Sequence, residues 1–361
     1  MRAAVMRNQK LVVDDIATPA PGPGEVLVKT LACGICGSDL HALKHAEKLV
    51  EGARRSGGPF IMDLKRDVVM GHEFCAEVVD YGAQTRHRFK PGARVCAMPV
   101  LIRATGAETV GYSNEHPGGY GEYMRLTEKL LLEVPNGLAT ERAALTEPLA
   151  VGYHAVAKAR LESDDAPLVI GCGPVGLAVI AALKLKGASP IVAADFSARR
   201  RQLAQRMGAD VVVDPKEKSP YESWRELAVF ADPARAPRLP SWMPGPALRP
   251  AVIFECVGVP GVIESIMAAA PSNARMVVVG VCMERDHIEP LFGINKELNL
   301  QFVLGYTGAE FAATLRHLAE GAIDGDPLVT GKVGVEGVAQ AFEDLASPER
   351  HAKILVEPWR S

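Results

Sequence analysis

LVIGCGPVGLAVIAALKLKG, residues 168–187, sets a short apolar run against a glycine-rich turn and then a helix-length apolar stretch. Gly171, Gly173 and Gly176 stand in G-x-G-x-x-G spacing. The spacing alone is weak. Its context makes it informative: a buried-strand run precedes it, a helix-compatible run follows, and Asp195 closes the next apolar run, IVAAD, nineteen residues after Gly176. Each element has a physical task. Gly171 permits the tight strand-to-helix turn, Gly173 lets a pyrophosphate approach the backbone, and Gly176 allows close helix–sheet packing. The phosphates would rest on the positive N-terminal end of the helix. The Asp195 carboxylate can accept hydrogen bonds from both hydroxyls of an adenosine ribose and repels a 2′-phosphate, so the expected cofactor is NAD rather than NADP. Arg199 and Arg200 follow closely, which softens that discrimination.

Working outward, the alternation of apolar runs and helix-length stretches begins near residue 145 and resumes at AVIFECVG and RMVVVGVC. Such a βαβ rhythm implies a parallel sheet with helices on both faces. Residues 1–130 read differently. Short β-type runs (KLVVDDIATPAPGPGEVLVKTLA, EFCAEVVDYG, KPGARVCAMPV) are separated by Gly and Pro, the pattern of a small antiparallel barrel or sandwich. Residues 44–68 have no clean period and read as loop with at most one short helix. The segment 232–250 is Pro-rich and reads as an extended surface loop. Beyond Phe292 come a strand-like NLQFVLGY, helices at about 309–320 and 335–345, and a closing strand KILVEP.

Composition bounds the function. A chain of 361 residues suits two domains. Hydrophobic content of 48% and charged content of 23% fit a globular protein, and a formal charge of −3 leaves no electrostatic footprint for nucleic acid. No apolar run approaches the ~20 residues of a membrane helix, so no membrane partner is expected. MRAAVMRNQKLVV has no apolar h-region and is expected to be mature sequence. The seven cysteines are scattered and odd in number, which points to a reducing cytoplasm rather than a disulfide framework.

Two of those cysteines lie in CGICGSDLH, residues 33–41. GHEFC supplies His72 and Glu73, and TEPLA supplies Glu147. With Cys36 these make a thiolate, an imidazole and one or two carboxylates, a set zinc accepts while keeping a coordination position open. A structural zinc site wants four closed ligands, and no second CxxC exists. A redox dithiol would sit beside a βαβ unit, whereas this stretch lies in the barrel-like region.

The combination GICGSDLH, GHE, PGARV, GGYGEY, EPLAVGYHAV and GCGPVG, with the Asp-terminated second strand, resembles the zinc-dependent medium-chain alcohol dehydrogenase family, nearest its sorbitol, threonine and butanediol dehydrogenase branch. The resemblance covers nearly the whole chain. It implies an α/β protein with a GroES-like β-barrel catalytic domain (1–150 and 291–361) and a Rossmann NAD-binding domain, doubly wound around a parallel sheet (151–290). By that similarity Cys36 and His72 bind one catalytic zinc, with Glu73 and Glu147 as alternative or exchanging ligands. Asp39 orients His72 from behind, and Ser38 and His41 form a proton relay. NAD contacts are expected from Pro174, Val175, Arg200, Cys256 and Val257, and further from Val279, Val281 and Lys353. Relatives that carry a structural zinc have a four-cysteine lobe, yet here CAMPVLIRATGAETVGYSNEHPGGYGEY offers no cysteine after Cys96. A second zinc is therefore not expected. Met98, Ile102 and Tyr112 would fill that space or border the substrate cleft.

The expected reaction interconverts a secondary alcohol or polyol and its ketone by hydride transfer, in a homodimer or homotetramer joined through Rossmann-domain edges. A zinc-free NADPH-linked quinone or enoyl reductase on the same fold needs neither the Cys36–His72–glutamate set nor Asp195. A dinucleotide-binding protein without turnover has no use for an open metal site. Segments 44–68, 99–116 and 291–306 are the expected pocket determinants, with Glu51, Arg54 and Arg55 read as a solvated charged loop.

Overall fold

In the computed structural model the apolar run 166–170 forms the strand Ala166–Ile170, and proline at the first helical position starts the helix Pro174–Leu185 directly after the glycine turn. The structure describes all residues except Pro59, Ile61, Thr105, Asn136, 237–246 and Ser361. The Pro-rich reading of 232–250 thus lies largely outside the described residues. Its described flanks hold a 3₁₀ turn, Pro233–Arg235, and a bridge between Val229 and Leu248.

The chain divides into two units, Met1–Pro148 with Thr307–Ser361, and Leu149–Tyr306. The second unit is a six-stranded parallel sheet. Its spatial order is Val211–Val213, Val192–Ala194, Ala166–Ile170, Ala251–Glu255, Arg275–Val278, Asn299–Phe302. The chain winds outward from Ala166–Ile170 to one edge, then returns to its other side. The order therefore reverses beside the glycine-rich turn, where open α/β sheets bind their ligands. Central strands APLVI and AVIFE are almost wholly buried, as a sheet covered on both faces demands. Trp224 packs in this core with Leu168, Ile253 and Met276, and its indole nitrogen donates to the Ala166 carbonyl at 2.8 Å. The unit runs past the expected residue 290 because Asn299–Phe302 adds a sixth parallel strand to the sheet.

The first unit is built on a seven-stranded, mainly antiparallel sheet. Its spine is Glu25–Gly34, which pairs with Glu73–Tyr81, with Tyr123–Thr127 and, at Cys33 and Gly34, with the late strand Lys353–Val356. Register shifts between Leu27 and Val28 and between Thr30 and Ala32 bend the spine. Within 44–68, read as loop with one short helix at most, the helix Ala46–Ser56 buries Leu49 and Ala53 and ends on Gly57 at φ 72°. The cysteine-free lobe is a hairpin, Val100–Arg103 with Gly106–Thr109.

Candidate active site

The spine strand ends at Gly34, and two residues later Cys36 caps the helix Gly37–Lys44. Asp39, in the first turn, folds back so that its Oδ2 accepts the Cys36 amide at 3.0 Å. Its carboxylate is fully buried and accepts two phenols, Tyr120 on Oδ2 at 2.6 Å and Tyr112 on Oδ1 at 2.7 Å. His72 Nδ1 lies 3.4 Å from Oδ1. Burial alone would push the Asp39 carboxyl up, but the facing His72 and these hydrogen bonds hold it below its ordinary value. With Nδ1 turned to Asp39, Nε2 is the imidazole nitrogen left for a ligand, and Ser38 Oγ stands 3.5 Å from it.

Glu73 opens the strand Glu73–Tyr81 opposite Gly34. A Cβ at Gly34 would collide with the Glu73 carboxylate, so glycine is required there for the carboxylate to lie over the spine. Lys353 meets it from the late strand, donating to Oε1 at 2.7 Å, Oε2 at 2.6 Å and the Ile35 carbonyl at 3.1 Å. Both partners are buried, Lys353 1% and Glu73 0% exposed. Burial would lower the ammonium, yet Glu73, with Cys36 and Glu147 adding negative charge, raises it above its ordinary value. A buried pair of this kind depends on every proton and lone pair finding a partner.

The structure thus brings together one donor atom each from Cys36, His72 and Glu73, all within 4.8 Å of one another. Glu147, half-buried in the first turn of the helix Thr146–Ala159, stands outside that group and acts on Lys353 through its charge. A soft thiolate, an imidazole backed by a carboxylate, and a carboxylate make a donor set that fits zinc. His41 sits half-buried on the Cys36-capped helix. Burial, then the neighbouring His45 and Lys44, lower its pKa.

In the sheet unit, Gly171 adopts φ 93°, and a Cβ on Gly176 would collide with the Gly171 carbonyl oxygen. Gly173 caps the helix Pro174–Leu185, and a Cβ there would meet nothing nearer than the Arg200 guanidinium at 3.9 Å. That open backbone at a helix N-terminus is a cradle suited to a pyrophosphate. Asp195 follows the strand Val192–Ala194; its Oδ2 accepts the Cys172 amide and its Oδ1 the Ser197 amide, each at 2.8 Å. It therefore ties the glycine turn to the next loop. Arg200 approaches it at 3.9 Å, and Arg200 Nε is buried with no hydrogen-bond partner. Pro174 and Val175 open the glycine-turn helix. Cys256 and Val257 follow the strand Ala251–Glu255, and Val279 and Val281 follow Arg275–Val278; Val257 and Val281 are exposed while Cys256 and Val279 are buried.

Lys353, expected at the cofactor, is buried on Glu73, where the late strand Lys353–Val356 carries it. Three residues escaped the reading of the sequence. Tyr120 and the hydroxyl role of Tyr112 gave no periodic signal, although the glycines of GGYGEY mark a tight approach. Glu255, whose Oε1 accepts the Val257 and Gly258 amides at 2.7 and 2.8 Å, looked like an ordinary strand residue.

The description "Alcohol dehydrogenase GroES-like domain" matches residues 22–136, and "Zinc-binding dehydrogenase" matches 174–320. The chain is 33% identical to a (R,R)-butanediol dehydrogenase of Bacillus subtilis, over 99% of this chain and 100% of that protein. It is 29% identical to a sorbitol dehydrogenase of Bos taurus, over 95% and 94%. The solved 2R,3R-butanediol dehydrogenase of Bacillus subtilis superposes with a TM-score of 0.79 at 30% identity, covering 99% of each chain. With a GroES-like unit carrying the donors and a Rossmann-like parallel sheet carrying the glycine turn, the chain belongs to the zinc-type medium-chain alcohol dehydrogenase family.

Proposed function

We propose that this alcohol or polyol oxidoreductase works with one zinc held by Cys36, His72 and Glu73 and with NAD, converting a secondary alcohol to its ketone and back. The observation that carries the reading is the three-donor group within 4.8 Å, with Asp39 behind His72. When bound, zinc supplies a Lewis acid that makes an alcohol proton easier to lose, and NAD supplies the hydride acceptor. Cys36 and Glu73 bring the negative charge that a divalent cation requires, and Lys353 offsets part of it. Asp39 Oδ1, 3.4 Å from Nδ1 of His72, favours the tautomer with its proton on that nitrogen. Ser38 Oγ accepts the alcohol proton as it releases its own, and His41, whose pKa is lowered by burial and then by His45 and Lys44, is the next acceptor towards solvent. Glu147 stays a candidate for an exchanging ligand through its charge on the same buried group.

The preference for NAD is supported by Asp195, whose carboxylate would face a 2′-phosphate with like charge. Butanediol and sorbitol, the substrates named for the relatives, are the first alcohols to try. The exposed edge strand Asn299–Phe302, with Phe302, Leu304 and Ile294 all more than half exposed, supports assembly with a second copy as a homodimer or homotetramer. Seven free cysteines support a reducing cytoplasm, and no described helix is long and apolar enough to cross a membrane.

The test is a metal assay combined with NADH production across butanediol, sorbitol, threonine and cyclohexanol. Zinc near one per chain, with NADH formed from at least one alcohol and lost on chelation, is the expected result. Full activity in metal-free protein, or reduction of quinones with NADPH alone, would overturn the reading.

A further inference from the structure

Tyr112 Oη lies 2.7 Å from Asp39 Oδ1 and 2.9 Å from Ser38 Oγ, yet a phenol has a single proton to give. Asp39 is fully buried and every polar group facing its carboxyl is a donor. Tyr120 and the Cys36 amide already donate to its Oδ2, and His72 Nδ1 faces Oδ1. Oδ1 offers the shorter contact and, unlike a hydroxyl, serves here only as an acceptor, so the Tyr112 proton goes to Oδ1. The Tyr112 oxygen can then only accept, and the partner left to donate is the Ser38 hydroxyl. The phenol ring cannot swing away. It is 2% exposed, sits 5.2 Å from the His72 ring, and meets the edge of Phe60 at 4.7 Å.

We infer that Tyr112 is a positioning residue that, before the proton moves, fixes the direction of the hydrogen-bond chain Ser38→Tyr112→Asp39, so that Ser38 meets the substrate hydroxyl with a lone pair and not with its proton; the serine proton leaves Tyr112 for the relay only as the alcohol proton arrives. The inference rests on the zinc reading of Cys36, His72 and Glu73. A free serine hydroxyl samples three staggered positions, and one of them would present its proton to the donor it is meant to accept from. Tyr112 removes that misorientation. It does so from the loop after the cysteine-free hairpin Val100–Thr109, which links this lobe to the chemistry through a hydroxyl.

The test is Tyr112→Phe, which keeps the ring and its packing, measured alone and in a Ser38→Ala background. Alone it should lower kcat for alcohol oxidation about tenfold with KM little changed, the worth of one ordered hydrogen bond. In the Ser38→Ala background it should cost less than about twofold, since the group it orients is gone. Zinc content and the visible spectrum of the cobalt-substituted protein should match wild type. Equal losses in both backgrounds, no loss in either, or an altered cobalt spectrum would overturn the inference, the last by routing Tyr112 through Asp39 and His72. Chelation of the wild type separates the two levels. If metal-free wild type keeps its activity, the zinc reading fails; if only the Tyr112→Phe pattern is wrong, that reading stands and this inference falls.

Discussion

The glycine turn and Asp195 are joined by a hydrogen bond spanning 23 residues of chain, whereas the metal-donor group is held by bonds spanning 81 residues (Tyr120 to Asp39) and 280 (Lys353 to Glu73). One region is a single βαβ element whose backbone does the work. The other is assembled from a spine strand and its neighbour Glu73–Tyr81, a capped helix, loops and a late strand. Backbone cradles tolerate most side-chain changes outside their glycines, while an assembled group of buried charges is exposed to failure at each contributor.

The sharpest way to separate the regions is Cys36→Ala. Metal content and turnover should vanish, with kcat falling on the order of a thousandfold, the equivalent of several kcal/mol of Lewis-acid stabilisation. NADH binding, followed by nicotinamide fluorescence, should stay at wild-type affinity. Loss of both together would erase the distinction between the regions. Next is Lys353→Met, which strands a buried Glu73 carboxylate and should cost about 3–5 kcal/mol in denaturant unfolding. Adding Glu73→Gln should recover part of that loss; a single variant as stable as wild type would show that water reaches the carboxylate.

Asp195→Gly probes the local region. Removing a charged acceptor should lower kcat/KM for NAD relative to NADP by about tenfold to a hundredfold. An unchanged ratio would reassign Asp195 to its two backbone amides alone. The smallest expected effect is Arg54→Ala. The Arg54–Glu51 pair lies on the exposed face of the helix Ala46–Ser56 at 2.8 Å, so stability should change by less than about 0.5 kcal/mol and activity not at all. A marked rise in KM for a polyol would instead put that helix against the substrate.

The same contrast explains which features are legible in the sequence. Gly171, Gly173, Gly176 and Asp195 carry their geometry in spacing, because a strand, a turn and a helix fix where each must fall. Cys36, His72 and Glu73 were found through residue chemistry and family likeness, not through spacing, since nothing local says that 36 and 72 meet. The partner of Lys353 is hidden for that reason. KILVEP announces a strand, but which carboxylate its lysine reaches depends on sheet order. Tyr112 and Tyr120 lie in a loop without period, and their hydroxyls acquire meaning only once Asp39 is seen buried between them. The bounds of the helix Ala46–Ser56 are hard to read because its charged face masks a narrow apolar stripe of Leu49 and Ala53.

The Lys353–Glu73 pair also orders events during synthesis. Cys36, His72 and Glu73 leave the ribosome early, but the cation that neutralises Glu73 arrives only after the whole sheet unit has been translated. A first unit without the late strand would bury Glu73 without its cation, which should delay its final core. Pulse-labelled chains halted before residue 353 should remain protease-sensitive in the first unit while the sheet unit is already resistant.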